Sequence, residues 1–98
     1  RSVQALEAVA DYAKQRGGQT VTVAADLTTA AGVNTLLEAA NGLDIGLLVA
    51  SAGYGTSGSF LQTSLEDEVN MVRLNCEALL SLTHHFAKYF AQRKRGGI

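Results

Sequence analysis

Hydrophobic positions along this chain switch between the period of a helix and the period of a strand. Residues 2–16 and 29–41 place apolar side chains three and four positions apart, which is the spacing of amphipathic helices. Residues 19–25 alternate valine with threonine, and such a β-branched alternation is typical of a strand. Residues 45–50 form a short continuous apolar run, as expected of a parallel strand covered on both faces. A last, long helix is predicted over 64–95.

Residues that begin and end helices stand at the predicted boundaries. Ser2 can cap the first helix, Thr28 or Thr29 the second, and Ser64 with Asp67 three positions on resembles a capping box. Glycine, which readily adopts the left-handed conformation of a helix exit, follows each helix, at Gly17, Gly42 and Gly96. The pattern therefore predicts three helices with defined ends.

The order helix–strand–helix–strand–helix predicts right-handed βαβ units and an α/β fold with a parallel sheet. Two strands alone make a poor sheet. The chain also begins at Arg1 without methionine and ends at Ile98, where a new apolar stretch opens. We therefore expect residues 1–98 to be a single, incomplete domain segment of a longer protein, with further strands before and after it.

The long helix 64–95 is apolar on two sides, so it needs cover on two sides. One stripe contains Leu65, Val69, Val72, Cys76, Leu79 and Phe86, and the other contains Met71, Leu74, Ala78, Leu82 and Tyr89. One face can lie on the sheet. The second face predicts a partner.

Composition and charge exclude several classes of function. The 98 residues carry 8 basic and 9 acidic side chains, a formal net charge of −1, which argues against nucleic acid or an anionic membrane as the main partner. Apolar runs are far shorter than the ~20 residues of a membrane-spanning helix. The single Cys76 excludes a disulfide framework and fits a reducing, cytoplasmic location.

Ligands of open parallel sheets bind beyond the carboxyl ends of the strands. In this chain those places are Asp26-Leu27 and the small, flexible segment 50–55. A carboxylate at a strand end can accept a hydrogen bond from an adenine amino group, and small residues let a nucleotide approach the backbone. The competing interpretation is that Asp26 only caps the next helix, as aspartate often does.

A glycine-rich motif follows the second strand. Gly53, Gly55 and Gly58 fit the G-x-G-x-x-G spacing of dinucleotide-binding loops. In such loops the third glycine already lies in the helix whose N-terminus faces the pyrophosphate, whereas here the next helix begins only after Ser64. The motif is therefore not interpreted as the phosphate loop.

The ordered set of Asp26-Leu27, a strand that ends in Ala50-Ser51-Ala52-Gly53, and Asn75 inside the long helix resembles the short-chain dehydrogenase/reductase family. The family has Asn-Asn-Ala-Gly at the second of these places, so only the latter half of that motif matches. The resemblance covers essentially all 98 residues. It implies a Rossmann-like three-layer fold, of which this chain is a segment of the doubly wound domain.

The resemblance also implies roles for individual residues. Asp26 and Leu27 would contact the adenine, and Ala50, Ala52 and Gly53 would line the path from the adenosine ribose to the nicotinamide. Asn75 would be the asparagine of the catalytic tetrad, whose backbone carbonyl, freed by a local irregularity of the helix, holds a water of the proton relay. The alternative is that Asn75 is a polar surface residue or bonds back to a carbonyl.

The resemblance further implies a choice of cofactor and a missing set of catalytic groups. An arginine at the position of Arg1 can pair with a ribose 2′-phosphate, which favours NADP over NAD. The alternative is that Arg1 is a surface arginine at a cut end, which leaves NAD open. The phosphate loop of the family would precede Arg1, and its serine and Tyr-x-x-x-Lys would follow Ile98. Tyr89 is followed at the right interval by Arg93 rather than lysine. The isolated chain is therefore expected to be inactive.

No metal site is predicted. The adjacent His84 and His85 point about 100° apart on a helix and cannot both bind one ion. Cys76 has no histidine or basic residue one turn away and is interpreted as a small core residue.

The resemblance thus implies a central segment of an NAD(P)-dependent short-chain oxidoreductase, which transfers hydride between a nicotinamide and a carbonyl or alcohol substrate. Helix 64–95 resembles the dimerisation helix of that family, so the chain is expected to self-associate through it as a homo-oligomer. Two alternatives remain open. One is a non-catalytic α/β module that associates through the same helix, and the other is a flavodoxin-like nucleotide binder.

Overall fold

A computed structural model describes residues 2–98, whose regular structure is helical. The helices are α1 (Val3–Lys14), α2 (Ala30–Ala40), α3 (Leu65–Val72) and α4 (Leu79–Arg93), and a π-helical turn (Arg73–Ala78) joins α3 to α4. Each lies inside a range that the sequence predicts as helical. The long predicted helix 64–95 is therefore one element with an irregular middle.

The predicted helix starts are capped by hydroxyl groups. The Ser2 and Ser64 side chains each accept a hydrogen bond from an amide of the following first turn. Of the two threonines proposed for α2, Thr29 is the cap, because its Oγ1 accepts from the Gly32 amide at 3.0 Å. These bonds satisfy amides that a helix leaves without partners at its N-terminus.

The two predicted strands differ from the expectation. Within residues 2–98, neither 19–25 nor 45–50 forms a β-ladder, and the single β-type contact is a parallel bridge between Leu47 and Gly97. Its bonds run from Leu48 N to Gly97 O at 2.9 Å and from Gly97 N to Gly46 O at 3.2 Å. A strand requires a neighbour that pairs with its amide and carbonyl groups. Within residues 2–98 the two segments do not pair with each other, and only the 45–50 segment has a β-type partner, at the bridge to Gly97.

The core lies between α2, the 45–48 segment and α4. Its buried residues are Val33, Ala78, Leu82, Phe86 and Phe90, with Leu36, Leu37, Ile45 and Leu48 packed against them. The radius of gyration is 15.6 Å, larger than the roughly 13 Å of a compact domain of this length. The fold is therefore an open layer with much apolar surface uncovered.

Phe86 corrects the predicted division of the long helix into two stripes. It was assigned to the same stripe as Leu65, yet it is buried in the core. The reason is its spacing, since Phe86 stands four residues after Leu82 and four before Phe90 and therefore shares their ridge along α4.

The rest of that stripe is exposed, and we refer to it as the exposed stripe. Its members are Leu65, Val69, Val72, Cys76 and Leu79, joined by Leu80. The predicted second face of the long helix is therefore present, and residues 2–98 do not cover it.

None of the helices within residues 2–98 is long and apolar enough to cross a bilayer.

A polar cluster fastens the end of α4 to the beginning of the 45–50 segment. The Asp44 carboxylate accepts hydrogen bonds from the guanidinium groups of Arg93 and Arg95, which hold the pKa of Asp44 below its usual range, with the larger effect from Arg95. Arg93 also donates to the Ile45 carbonyl at 2.9 Å. These contacts bring residue 97 beside residue 47 and so support the parallel bridge.

Candidate functional site

The ends of the two predicted strands open onto one cleft of about 740 Å³. One wall comes from residues 23–28 and the other from residues 49–54, with a side chain each from α1 and the π-helical turn. The lining residues are Leu6, Val23, Ala24, Ala25, Asp26, Leu27, Thr28, Val49, Ser51, Ala52, Gly53, Tyr54 and Leu74. This volume falls within the roughly 300–1,000 Å³ that is usual for small-molecule sites.

Asp26 lies at the cleft with its carboxylate exposed to solvent. Its Oδ1 accepts hydrogen bonds from the Thr28 hydroxyl at 2.7 Å and from the Thr28 amide at 3.0 Å. Both bonds lower the pKa of Asp26, the hydroxyl bond more than the amide bond, so the carboxyl group is an anion at neutral pH. Both of these bonds from the described residues go to Oδ1, and Oδ2 accepts none from residues 2–98.

Backbone contacts fix the position of Asp26 above the start of α2. The Asp26 carbonyl accepts from the Thr29 amide at 3.2 Å and from the Thr29 hydroxyl at 2.9 Å. A Cβ atom added to Gly32 would stand 1.9 Å from the same carbonyl oxygen. Glycine at this position therefore allows α2 to approach the strand end closely. The side chain of Asp26 does not cap α2, since Thr29 does.

Asn75 lies in the π-helical turn and reaches across to the opposite wall of the cleft. Its Nδ2 donates to the Tyr54 carbonyl at 2.7 Å, and its Oδ1 accepts from the Tyr54 amide at 3.1 Å. A Cβ on Gly53 would come within 2.9 Å of Asn75 Oδ1. The pair of bonds thus requires a small residue beside Tyr54, and it fastens the segment after the second predicted strand to the long helix.

The π-helical turn also changes the bonding of the Asn75 backbone. In a regular α-helix the Leu79 amide would donate to the carbonyl four residues earlier, which is that of Asn75. Here the Leu79 amide donates to the Cys76 carbonyl instead. The irregularity expected at this position is present.

The segment after Gly53 is attached to α3 at two further points. The Tyr54 hydroxyl donates to the Asp67 carbonyl at 3.3 Å, and the Thr56 hydroxyl donates to the Glu68 carboxylate at 2.9 Å. Gly58 has a φ of +121°, and α3 begins only at Leu65. The glycine motif therefore opens a loop rather than a helix, in agreement with its exclusion as a phosphate loop.

The structure brings Asp26, Leu27, Ala52 and Gly53 to the same cleft. Ala50 is not among the residues that line it, although its neighbours Val49 and Ser51 are. Arg1 lies outside the described residues.

Several cleft residues were not singled out in the sequence. Val49 and Ser51 stand two positions apart, so the alternation of a strand would place both side chains on the same face. Leu74 belongs to one of the two apolar stripes predicted for the long helix. From the sequence, Tyr54 is either a cofactor or substrate contact or an exposed loop tyrosine, and its contacts with Asn75 and Asp67 join residues 21 and 13 positions apart.

The remaining polar candidates lie elsewhere. Tyr89 and Arg93 bond to each other at 2.7 Å, and Tyr89 donates to the Leu43 carbonyl, at the opposite end of the 45–50 segment from the cleft. Cys76 is exposed rather than a core residue. In residues 2–98, no three histidine, cysteine or acidic side chains come together as a metal site would require.

Comparison with known proteins identifies the relatives of this chain. A family model described as short chain dehydrogenase matches residues 1–98. A very-long-chain 3-oxoacyl-CoA reductase of Neurospora crassa is 41% identical over 63 residues, covering 62% of this chain and 19% of the relative. A 7beta-hydroxysteroid dehydrogenase of Collinsella aerofaciens is 29% identical over 82 residues, covering 84% of this chain and 31% of the relative.

Solved structures agree with these relatives. A 7beta-hydroxysteroid dehydrogenase structure, from a study of its stereoselectivity, superposes with a TM-score of 0.90 at 28% identity and covers 98% of this chain and 38% of its own. A short-chain dehydrogenase from Sphingobium yanoikuyae in complex with NADPH gives 0.87 at 30% identity, covering 98% and 39% respectively. The chain thus spans less than two fifths of the length of these proteins, with an α/β Rossmann-like arrangement.

Proposed function

The chain belongs to the short chain dehydrogenase family, and on that premise we propose that it forms part of the nicotinamide dinucleotide site of an NAD(P)-dependent oxidoreductase. The observation that carries the proposal is the shared cleft, which has an anionic acceptor on one wall and small residues on the other. The whole protein would interconvert a carbonyl and an alcohol, and when bound the cofactor supplies or accepts the hydride.

The cleft residues fit an adenosine. Asp26 Oδ2 is an ionised acceptor that accepts no hydrogen bond from residues 2–98, and an adenine amino group is a donor of matching chemistry. Leu27 supplies an apolar surface beside it, and Ala52 with Gly53 leaves the backbone of the opposite wall accessible. The 98% overlap with a structure that holds NADPH supports the same choice. Selection of NADP by Arg1 remains a prediction from the sequence.

Asn75 is the residue of this chain that we assign to catalysis. Its side chain is engaged by the Tyr54 backbone, so its contribution to proton transfer comes from its carbonyl, from which the π-helical turn withdraws the Leu79 amide. A carbonyl that does not accept from this amide can accept a hydrogen bond from a water and so hold one position of a proton relay. Tyr89 and Arg93 do not serve as the acid–base pair, since both are bonded at the far end of the molecule.

The test of this proposal is a titration of NADPH against the native polypeptide that carries these residues. Replacing Asp26→Ala is expected to raise the Kd for NADPH about tenfold, because a hydrogen bond to a charged group contributes roughly 1.5–3 kcal/mol. Nicotinamide fluorescence or calorimetry measures the Kd directly.

Two control variants distinguish the effect of the Asp26 carboxylate on the Kd from the effect of the turn that positions it. Thr28→Val removes the hydroxyl bond to Asp26 but keeps the carboxylate, and it should change the Kd far less than Asp26→Ala. Asp11→Ala removes an exposed acid on α1 that does not line the cleft. A wild-type protein that does not bind NADPH would refute the proposal and favour the non-catalytic module.

We also propose that the protein self-associates through the exposed stripe. Leu65 is 78% exposed, Val72 55% and Leu80 70%, and apolar residues in a continuous row on one helix are unusual on a monomer surface. The same observation favours the second candidate function, an association module without catalysis. A cytoplasmic location remains a prediction from the single cysteine.

Self-association is tested by substituting the centre of the exposed stripe. Val72→Glu is expected to convert a dimer into a monomer in sedimentation velocity, because burying an uncompensated carboxylate in an apolar contact is unfavourable. Val9→Glu is the matched control, since Val9 is an equally exposed valine on α1 at 64%. A monomeric wild-type protein at all concentrations would contradict the assignment.

A further inference from the structure

Tyr54 is held at both of its ends. Its backbone amide and carbonyl are both bonded by the Asn75 side chain, and its hydroxyl donates to the Asp67 carbonyl at 3.3 Å. The residue is nevertheless 41% exposed and lines the cleft. An aromatic residue that is fixed at two points and still faces a cavity forms a rigid wall rather than a mobile cover.

The position of Tyr54 along the wall indicates which part of a ligand it faces. Asp26 marks the adenosine end of the cleft in the proposed function, and Asn75 marks the end at which the proton is transferred. Tyr54 is bonded directly to Asn75, immediately after Gly53. Tyr54 therefore lies at the reacting end of the cleft, with its ring held between the Asn75 side chain at its backbone and the Asp67 carbonyl at its hydroxyl.

We propose that Tyr54 determines specificity, in that its ring limits the size of the carbonyl substrate accepted beside Asn75. The inference rests on the proposed oxidoreductase function. Wild-type protein would favour small ketones, and removal of the ring would open the site to larger, bicyclic ones.

The ring can be removed without releasing the loop. Both bonds from Asn75 go to backbone atoms of Tyr54, so they persist whatever the side chain is. Thr56 gives an independent attachment through Glu68 at 2.9 Å. The Asp67 carbonyl that would lose the tyrosine hydroxyl lies in the exposed first turn of α3, where water replaces it.

The experiment compares cyclohexanone and 2-decalone as substrates of the native polypeptide with NADPH. For Tyr54→Ala, the ratio of kcat/KM for decalone over cyclohexanone should rise about tenfold or more, the usual effect of opening an apolar pocket by more than one methylene group. Tyr54→Phe keeps the ring and loses only the hydroxyl, and should keep a ratio within about twofold of wild type. Phe60→Ala is the matched control, because Phe60 is a 76% exposed aromatic residue of the same loop that does not line the cleft.

The Kd for NADPH, measured for each variant, distinguishes a failure of the proposed function from a failure of the role of Tyr54. A wild-type protein that does not bind NADPH shows that the proposed function has failed. If the protein binds NADPH but Tyr54→Ala keeps the wild-type ratio of kcat/KM, the proposed role of Tyr54 is wrong. If wild type reduces neither ketone, the role is also wrong when Tyr54→Ala gains no turnover of decalone. A lowered melting temperature with an unchanged ratio would show that the residue is merely structural.

Discussion

Replacing Asn75→Ala is expected to lower kcat about a hundredfold, since displacement of a positioning contact by even 1 Å can cost that much. The substitution removes both bonds to the Tyr54 backbone, so the second wall of the cleft is no longer fastened to the helix. These side-chain bonds lie in the π-helical turn, in which the Leu79 amide donates to the Cys76 carbonyl and not to the Asn75 carbonyl. Steady-state kinetics on the native polypeptide measures the effect.

The melting temperature distinguishes a fall in kcat caused by lost positioning from one caused by unfolding. Alanine favours helix more than asparagine does, so the melting temperature of Asn75→Ala should change little while kcat falls. Asn70→Ala is the control on the same helix, because the Asn70 side chain accepts only from Arg73, at 3.2 Å, and does not line the cleft. Because alanine keeps the backbone carbonyl, an Asn75→Ala enzyme with the kcat of wild type would contradict the positioning role of the Asn75 side chain.

Replacing Gly32→Ala is expected to destabilise the protein by about 2–3 kcal/mol, the upper part of the range for overpacking a close contact. The added Cβ would stand 1.9 Å from the Asp26 carbonyl oxygen and 2.5 Å from its carbon, so the backbone must move. The sign is opposite to helix propensity, which favours alanine over glycine by up to about 1 kcal/mol. Denaturant unfolding of the native polypeptide measures the difference.

The same substitution should weaken NADPH binding, because the displaced backbone is that of Asp26. Gly46→Ala is the matched control, since no atom of residues 2–98 lies within 4 Å of the added Cβ and its φ is not in the left-handed region. Equal stabilities of Gly32→Ala and Gly46→Ala would mean that α2 does not approach Asp26 as closely as described.

Local chemistry allowed the helices to be predicted from the sequence. Ser2, Thr29 and Ser64 act through amides three residues away, so their capping is encoded within one turn. The glycines after α1 and α2 take positive φ at Gly17 and Gly42 for the same local reason, whereas the left-handed residue that ends α4 is Lys94, two positions before the predicted Gly96. Helical periodicity is likewise visible within a short window.

The strands and the inner contacts of the site could not be predicted in the same way. A β-branched run such as 19–25 indicates a strand only if another segment lies beside it, and in residues 2–98 no such segment pairs with it. The fastening of Tyr54 to Asn75 and of Thr56 to Glu68 joins residues 21 and 12 positions apart, and nothing in either neighbourhood specifies the other.

The candidate site lies between these cases. The sequence places Asp26 and the small residues 52–53 at the carboxyl ends of the predicted strands, where ligands of parallel sheets bind, and the structure has both at one cleft. Their contacts with a cofactor, and that of Ala50, remain predictions.

The most direct measurement is the position of the adenine in a crystal structure of the native polypeptide with NADPH. We expect the adenine amino group to lie within about 3 Å of a carboxylate oxygen of Asp26, the distance of a hydrogen bond. An adenine bound at the opposite end of the 45–50 segment, beside Asp44 and Arg93, would contradict it.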